Sequence, residues 1–205
     1  MDLLELKREQ QKLAQKVVLN DGFTKIKTIG GAYCHPIANK LLASVIVCEY
    51  PSMKLIESKT YLLSDLLPYH SDFQAYREMP AIIEAFNKLE SEPDILIVNG
   101  PGILHPRKIG IASHLGLALN LPTIGISQKL PIGIVQKGNI FIGKDMVGFE
   151  IKTREYSNSI YASPGHLISL GSVLRSIPSM IKYPHKLPEP LHLAIKLAKN
   201  NGKKI

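Results

Sequence analysis

The sequence predicts a mixed α/β domain: a central sheet, with a three-strand antiparallel meander plus parallel strands, flanked by helices. Three observations carry that prediction. Apolar segments rich in β-branched residues at 26–34, 41–50 and 55–63 follow one another with only short breaks, His35-Pro36 and Pro51-Ser52, which reads as a meander. The run 95–98 is short and wholly apolar, and it feeds Asn99-Gly100-Pro101-Gly102, the pattern of a buried strand entering a shaped loop. Helical patterning at 75–90 precedes that strand, and a glycine-spaced apolar segment starting at Gly110 follows it as a second helix. A strand, a glycine-rich turn and a helix in succession present polar side chains at the carboxyl end of the strand.

The remaining elements follow from the same rules. In residues 2–18, Leu3, Leu6, Leu13, Val17 and Val18 recur among charged positions, predicting an exposed amphipathic helix that stops at Asp21-Gly22. Residues 68–72 form a loop. Residues 121–126 read as a second short buried strand, and 139–151 as a hairpin turning near Lys144-Asp145. Ile160-Tyr161-Ala162 is a last strand running into Ser163-Pro164-Gly165-His166, which is expected to open a helix. Ser163 and Gly165 then either offer backbone N–H groups to a phosphate or serve as a plain helix cap. A final helix starts near Pro188. Meander, helix, central parallel strand, helix and further strand is the order of the ribonuclease H-like architecture.

With 205 residues and 45% hydrophobic content, the chain can bury one sizeable core, so residues 1–205 are expected to form one domain. No apolar run approaches the ~20 residues of a membrane helix, and the mixed charges of Asp2, Glu5 and Lys7 are unlike a secretory signal. Cys34 and Cys48 make neither a disulfide framework nor a metal knuckle, which predicts a reducing, cytoplasmic setting. The net charge of +8 favours a polyanionic partner, because basic side chains on phosphates release counterions. Part of that excess lies in the tail from 196 to 203, where it also suits a solvated helix end. Nothing in the composition indicates an oligomeric state.

The stretch 94–116 resembles the central motif of the endonuclease V family, enzymes that nick DNA or RNA beside deaminated adenine (inosine). Family members carry Asp-Gly-x-Gly-x-x-His-Pro-Arg and then Gly-x-Ala-Ser-His-x-Gly. Gly100, Gly102, His105, Pro106, Arg107, Gly110, Ala112, Ser113, His114 and Gly116 match, and the leading aspartate is Asn99. The resemblance covers most of the chain. Pro68-Tyr69 and Ala75-Tyr76-Arg77-Glu78-Met79-Pro80 are similar to the family's wedge segment. Pro122-Thr123-Ile124-Gly125-Ile126, Val147-Gly148 with Lys152-Thr153, 163–170 and 187–190 resemble further motifs in the right order.

The resemblance implies a site in which carboxylates from different strands hold magnesium or manganese against the scissile phosphate. The family's first-strand aspartate falls on Ala32 and its second on Asn99, its last-helix histidine on Ile195, and its lysine after the Pro-Thr-Ile-Gly strand on Gln128, next to Lys129. Of the metal-site residues only Glu78 is retained, so any metal would rest on Glu78 and Asn99, and no other cofactor is expected. The expectation is therefore a pseudo-nuclease that binds DNA or RNA at inosine or other deaminated-base sites, with hydrolysis lost or very weak. Two other readings remain open. One is an active metal-dependent nuclease whose site is rebuilt from Glu78, Asn99 and Asp72 or His35. The other is an interaction scaffold that no longer binds nucleic acid.

By the same resemblance, Tyr69 is a wedge that stacks beside the damaged base, against the alternative of a loop tyrosine packed on the core. Gly100, Gly102 and His105 line a pocket for a flipped base, against a loop-capping role for His105. His114, inside a helix among small residues, is expected to be structural. Arg77 and Arg107 contact phosphates or pair with local carboxylates. Lys108, Lys129, Lys152, Arg154 and Lys182 are candidates for the phosphate track or ordinary surface charges.

Overall fold

The computed structural model describes residues 2–205. Asp2 caps the first helix, α1 (Leu3–Ala14), by accepting from the Leu4 N–H at 2.8 Å. The helix ends well before residue 18 because the following chain is drawn onto the sheet. The Val18 N–H donates to His166 Nδ1 at 3.2 Å, the Val18 carbonyl accepts from the Leu167 N–H at 2.7 Å, and Val17 packs in an apolar cluster with Ile103 and Val147.

The meander is formed by β1 (Thr28–Ile37), β2 (Lys40–Glu49) and β3 (Leu55–Leu63), paired antiparallel. β1 continues past Cys34 through His35-Pro36. Its parallel pairing with the central strand β4 (Ile95–Asn99) ends at Ala32, so one side of β1 is open beyond that point, where a proline is tolerated. The Asp94 carboxylate pins the two strands in register by accepting from the Lys27 and Thr28 N–H groups at 2.7 and 2.9 Å. β2 is buried from Leu41 to Cys48 because helices cover both of its faces, which explains its unbroken apolar run.

Between β3 and β4 come a 3-10 turn (Ser71–Phe73) and α2 (Gln74–Phe86), and after β4 comes α3 (Ile111–Leu119), ended by Asn120 in the left-handed region at φ 50°. The next strands are β5 (Thr123–Ser127), β6 (Ile134–Gln136), β7 (Asn139–Ile142), β8 (Asp145–Ile151) and β9 (Ile160–His166). The chain closes with α4 (Leu170–Ser179) and α5 (Glu189–Gly202). The nine strands form one sheet in the order β3-β2-β1-β4-β5-β9-β8-β7-β6, parallel where β4 meets β1 and β5. α2 and α3 bury one face with Ala32, Leu96 and Val98, while α4 and α5 bury the other with Ile29, Ile97 and Ile124.

Ser163 and Gly165 do not open a helix. They lie inside β9, buried, and the next helix begins only at Leu170 with Ser169 as its cap. The Pro164-Gly165 pair has the composition of a turn, but a register shift opposite it, between Thr123 and Ile124, absorbs the irregularity and lets the strand continue.

Candidate functional site

The carboxyl ends of three parallel strands meet at one edge of the sheet. Ala32 of β1 pairs with Val98 of β4, and Asn99 pairs with Ile126 of β5. α2 crosses this edge and carries Glu78, while Gln128 and Lys129 are exposed just beyond β5. Ala32 is fully buried against α2. Ile195 of α5 is half-buried in the apolar cluster on the opposite face, beside Tyr33 and Leu191.

Glu78 is the one carboxylate at this edge that the motif comparison retains, and Gln74, one helical turn earlier, holds it. The Gln74 amide nitrogen lies 3.1 Å from each Glu78 carboxylate oxygen and 3.5 Å from the Asn99 carbonyl. Burial pushes the Glu78 carboxyl up to about 7, against the pull of the Gln74 hydrogen bonds and the Arg77 charge. Burial raises the Tyr33 hydroxyl and the Cys34 thiol, and the Glu78 carboxylate adds to the rise in both.

Magnesium needs hard oxygen ligands whose charge comes from carboxylates. Ala32 supplies no ligand atom, Asn99 supplies a neutral amide oxygen, and both Glu78 oxygens already accept from an N–H donor. Among the described residues, no group of three or more His, Cys, Asp or Glu side chains gathers to hold a metal ion. The donor set at Glu78 and Asn99 therefore does not fit magnesium or manganese. The two residues considered for a rebuilt site are engaged elsewhere: Asp72 pairs with Arg107 at 3.2 Å, and His35 stacks near Tyr33 and lies against Gly202.

The glycine loop after β4 is packed rather than open. A Cβ on Gly102 would fall 1.9 Å from the Pro164 carbonyl oxygen, and the Gly102 N–H donates to Ser163 Oγ at 2.9 Å. Gly100 adopts φ +139° with Ile111 and Gln74 against its α-carbon. Ser163 is thus an internal partner of this loop, and Gly165 fits closely against the Thr123 hydroxyl. Gly102→Ala should cost about 1–3 kcal/mol through overpacking, lowering the melting temperature by about 2–12 °C in a chain of this size. Thermal unfolding followed by circular dichroism checks this, and an unchanged midpoint would contradict it.

His105 takes the loop-capping role. Its Nδ1 accepts from the Arg107 N–H at 3.3 Å, so the neutral ring carries its proton on Nε2 and donates to the Asp72 carbonyl at 3.1 Å. Burial, with the Arg107 charge adding to it, pushes the imidazole down to about 4. Two further donors reach the same carbonyl, Gln10 Nε2 at 2.8 Å and Arg107 Nη2 at 3.3 Å. Arg107 also donates Nε to Gln10 Oε1 at 2.5 Å and lies over the Phe73 ring. It is a structural clamp rather than a free phosphate ligand. The crevice between Asp72, Gln74, Pro101 and His105 leaves no room for a water-sized molecule.

The clamp holds the base of the loop that carries Tyr69, which is 66% exposed and therefore not a core tyrosine. Arg77 reaches back to the Leu67 carbonyl of this loop, and Lys108 pairs with Asp145 at 2.5 Å. His114 is buried edge-on to Tyr76, as a structural histidine. Lys129 and Lys152 project from the surface. Sequence reasoning missed Gln10, Gln74 and the engagement of Asp72. Only the four-residue spacing of Gln74 and Glu78 on a helix was available as a signal.

Comparison with known proteins places this geometry. The family model described as Endonuclease V matches residues 11–196. This chain belongs to the endonuclease V family. It is 36% identical to the endonuclease V of Rippkaea orientalis, over 99% of this chain and 93% of that protein. It is 32% identical to that of Dictyoglomus thermophilum, over 93% and 86%. Among solved structures, it superposes on endonuclease V of Ciona intestinalis in complex with a DNA containing an inosine followed by a ribo-adenosine, with TM-score 0.89 and 26% identity, covering 98% of this chain and 97% of that one. The Bacillus subtilis endonuclease V gives TM-score 0.89 and 27% identity, over 100% and 93%. The architecture is ribonuclease H-like, as the element order implied.

Proposed function

We propose that this chain is a nucleic-acid-binding member of the endonuclease V family that recognises inosine or other deaminated-base sites in DNA or RNA and has lost hydrolysis. The observation that carries the reading is the donor set at the strand ends. One carboxylate, held by an amide and titrating near neutrality, stands where two-carboxylate metal chemistry requires more charge. Gln128 adds no positive charge for the phosphorane-like transition state. Binding is supported by the net charge of +8, by exposed Tyr69 at the wedge position, and by the Ciona relative crystallised on inosine-containing DNA. The reading treats residues 1–205 as one domain working in a reducing, cytoplasmic setting. A flipped base would enter only if the crevice at His105 opens, which sets the clamp against base recognition.

The test uses a labelled strand with one inosine, and the same strand with adenine, at protein excess in magnesium and then manganese. The expected result is binding that favours inosine and weakens steeply with salt, with no nicking. Tyr69→Ala should weaken binding about 5- to 150-fold, the equivalent of ~1–3 kcal/mol for one stacked base. Nicking on the 3′ side of inosine that Glu78→Ala abolishes would overturn the loss of hydrolysis. Absence of any strand binding would leave an interaction scaffold.

A further inference from the structure

A second feature lies at the same sheet edge but outside the Glu78 site. Between the β8–β9 connection and the segment joining α4 to α5 is a cavity of about 340 Å³, within the size range of small-ligand sites. Lys152, Thr153 and Arg154 line it from the β8–β9 connection, and Ile181, Tyr183 and His185 line it from the segment joining the helices. None of the lining residues is acidic.

Tyr183 is 93% exposed, so its ring contributes nothing to the core and offers a free stacking face. Lys182 and Lys186 flank it in the chain, and Tyr156, 94% exposed, stands on the opposing loop. His185 is held in place: buried Glu189 lies 2.5 Å from its Nδ1, and the His192 ring stacks on it at 3.5 Å. That leaves Nε2 as the ring atom free for a ligand. The Thr153 hydroxyl is buried without a hydrogen-bond partner among the described residues.

Strand register fixes where this cavity lies. Asn99 pairs with Ile126, Ile126 with Ala162, and Ala162 with Phe149, while Ile160 pairs with Ile151 at the end of β8. The cavity therefore opens at the same end of the sheet as Asn99, three strand spacings away, or about 14 Å. A strand bound at the Glu78 edge reaches it within a few nucleotides.

We propose that this cavity is a nucleotide subsite, in which Lys152 and Arg154 hold a phosphate and Tyr183 stacks on the adjoining base. The inference rests on the nucleic-acid-binding reading above but not on its inosine preference. A ring that accepts any base and two cations that accept any phosphate select for an unpaired strand, without regard to sequence. A free mononucleotide offers the same chemistry, and competition separates the two sources.

The experiment is fluorescence anisotropy of a short labelled single strand, with and without inosine, on the full chain and on Tyr183→Ala, Tyr183→Phe and the pair Lys152→Ala with Arg154→Ala. All three positions are at the surface, and melting curves confirm that the variants fold. Tyr183→Ala should weaken both strands about 5- to 150-fold and leave their affinity ratio unchanged, while Tyr183→Phe binds like wild type. The double lysine–arginine variant should lower the salt slope by about 0.7, for the one phosphate the pair neutralises on a single strand. Adenosine monophosphate competing as tightly as the strand would identify the free nucleotide as the occupant. Tyr183→Ala binding within about twofold of wild type would overturn this subsite alone. A wild-type chain that binds no strand and no mononucleotide would overturn both proposals. Binding without inosine preference but dependent on Tyr183 would sustain this one and remove the other's specificity.

Discussion

A chain carrying Ala32→Asp, Asn99→Asp, Gln128→Lys and Ile195→His, together with Gln74→Leu, is expected to nick an inosine-containing strand in magnesium at least about a thousandfold faster than wild type. The magnitude follows from the worth of single groups aimed at developing charge, about 10²–10³ in rate each. Gln74 belongs in the set for a structural reason. Its amide lies 3.1 Å from both Glu78 oxygens, so restoring aspartates alone leaves the third carboxylate facing an N–H donor instead of a cation. The variant that keeps Gln74 should therefore be slower than the full set.

Ala32→Asp by itself should give no nicking and a less stable protein. Ala32 has no exposed surface and packs with Cys34, Val98 and Ala75, so a carboxylate placed there has neither water nor a counter-charge. An uncompensated buried charge costs about 3–5 kcal/mol, and magnesium should return part of that stability only when Asn99→Asp is also present. Single-turnover cleavage and melting in magnesium or chelator read the two effects separately. Equal nicking by wild type and the full set would sink the idea that the centre is disabled.

The parts of the fold that were legible in the sequence were those in which local pattern and tertiary position agree. β2 and β4 are buried on both faces and read as continuous apolar runs, and the β7–β8 hairpin falls between its predicted ends at 139 and 151. The errors arose where distant contacts overrode a local signal. Pro164-Gly165 reads as a turn, yet β9 takes Gly165 as one extra residue between Pro164 and His166 in its pairing with β5 and stays extended. Val17 and Val18 continue the helical spacing of α1, yet β9 captures them instead. β6 is three residues long with two of them exposed, too short to show a period.

The site divides in the same way. The departures at Ala32, Asn99, Gln128 and Ile195 were visible because each falls inside a recognisable motif. The clamp was not. Arg107 meets Gln10 across 97 residues of sequence, and Asp72 is reached by Gln10, His105 and Arg107 from two different elements. A glutamine on a helix looks like a solvated surface residue, so neither Gln10 nor Gln74 carried a signal.

Stability against pH should expose the two perturbed groups at the site, because they act with opposite sign. Glu78 titrates near 7 in the folded chain against an ordinary value of 4.5, so the native state binds the extra proton between those limits. Its contribution is fully present below pH 4.5 and is lost as pH rises to about 7, amounting to about 2–3 kcal/mol after allowing for screening of a half-buried carboxyl. His105 titrates near 4 against an ordinary 6.5, so the unfolded chain binds the extra proton. Its contribution, about 3 kcal/mol, is present above pH 6.5 and is lost as pH falls to about 4. Between 4.5 and 6.5 the slopes largely cancel, and each variant should reveal the other group. Glu78→Gln should make stability climb more steeply with pH across that interval and remove the decline towards 7. His105→Gln should leave the decline from 4.5 to 7 and weaken the acid limb, to which the lowered values of His114, His166 and His192 also contribute. Urea unfolding at a series of pH values measures this, and variant curves that run parallel to wild type would refute both assignments. The Glu78 slope bears directly on chemistry. A carboxyl that keeps part of its proton at pH 7 presents less negative charge to a divalent cation than an ordinary glutamate, and that charge develops only across the same pH interval in which its contribution to stability is lost.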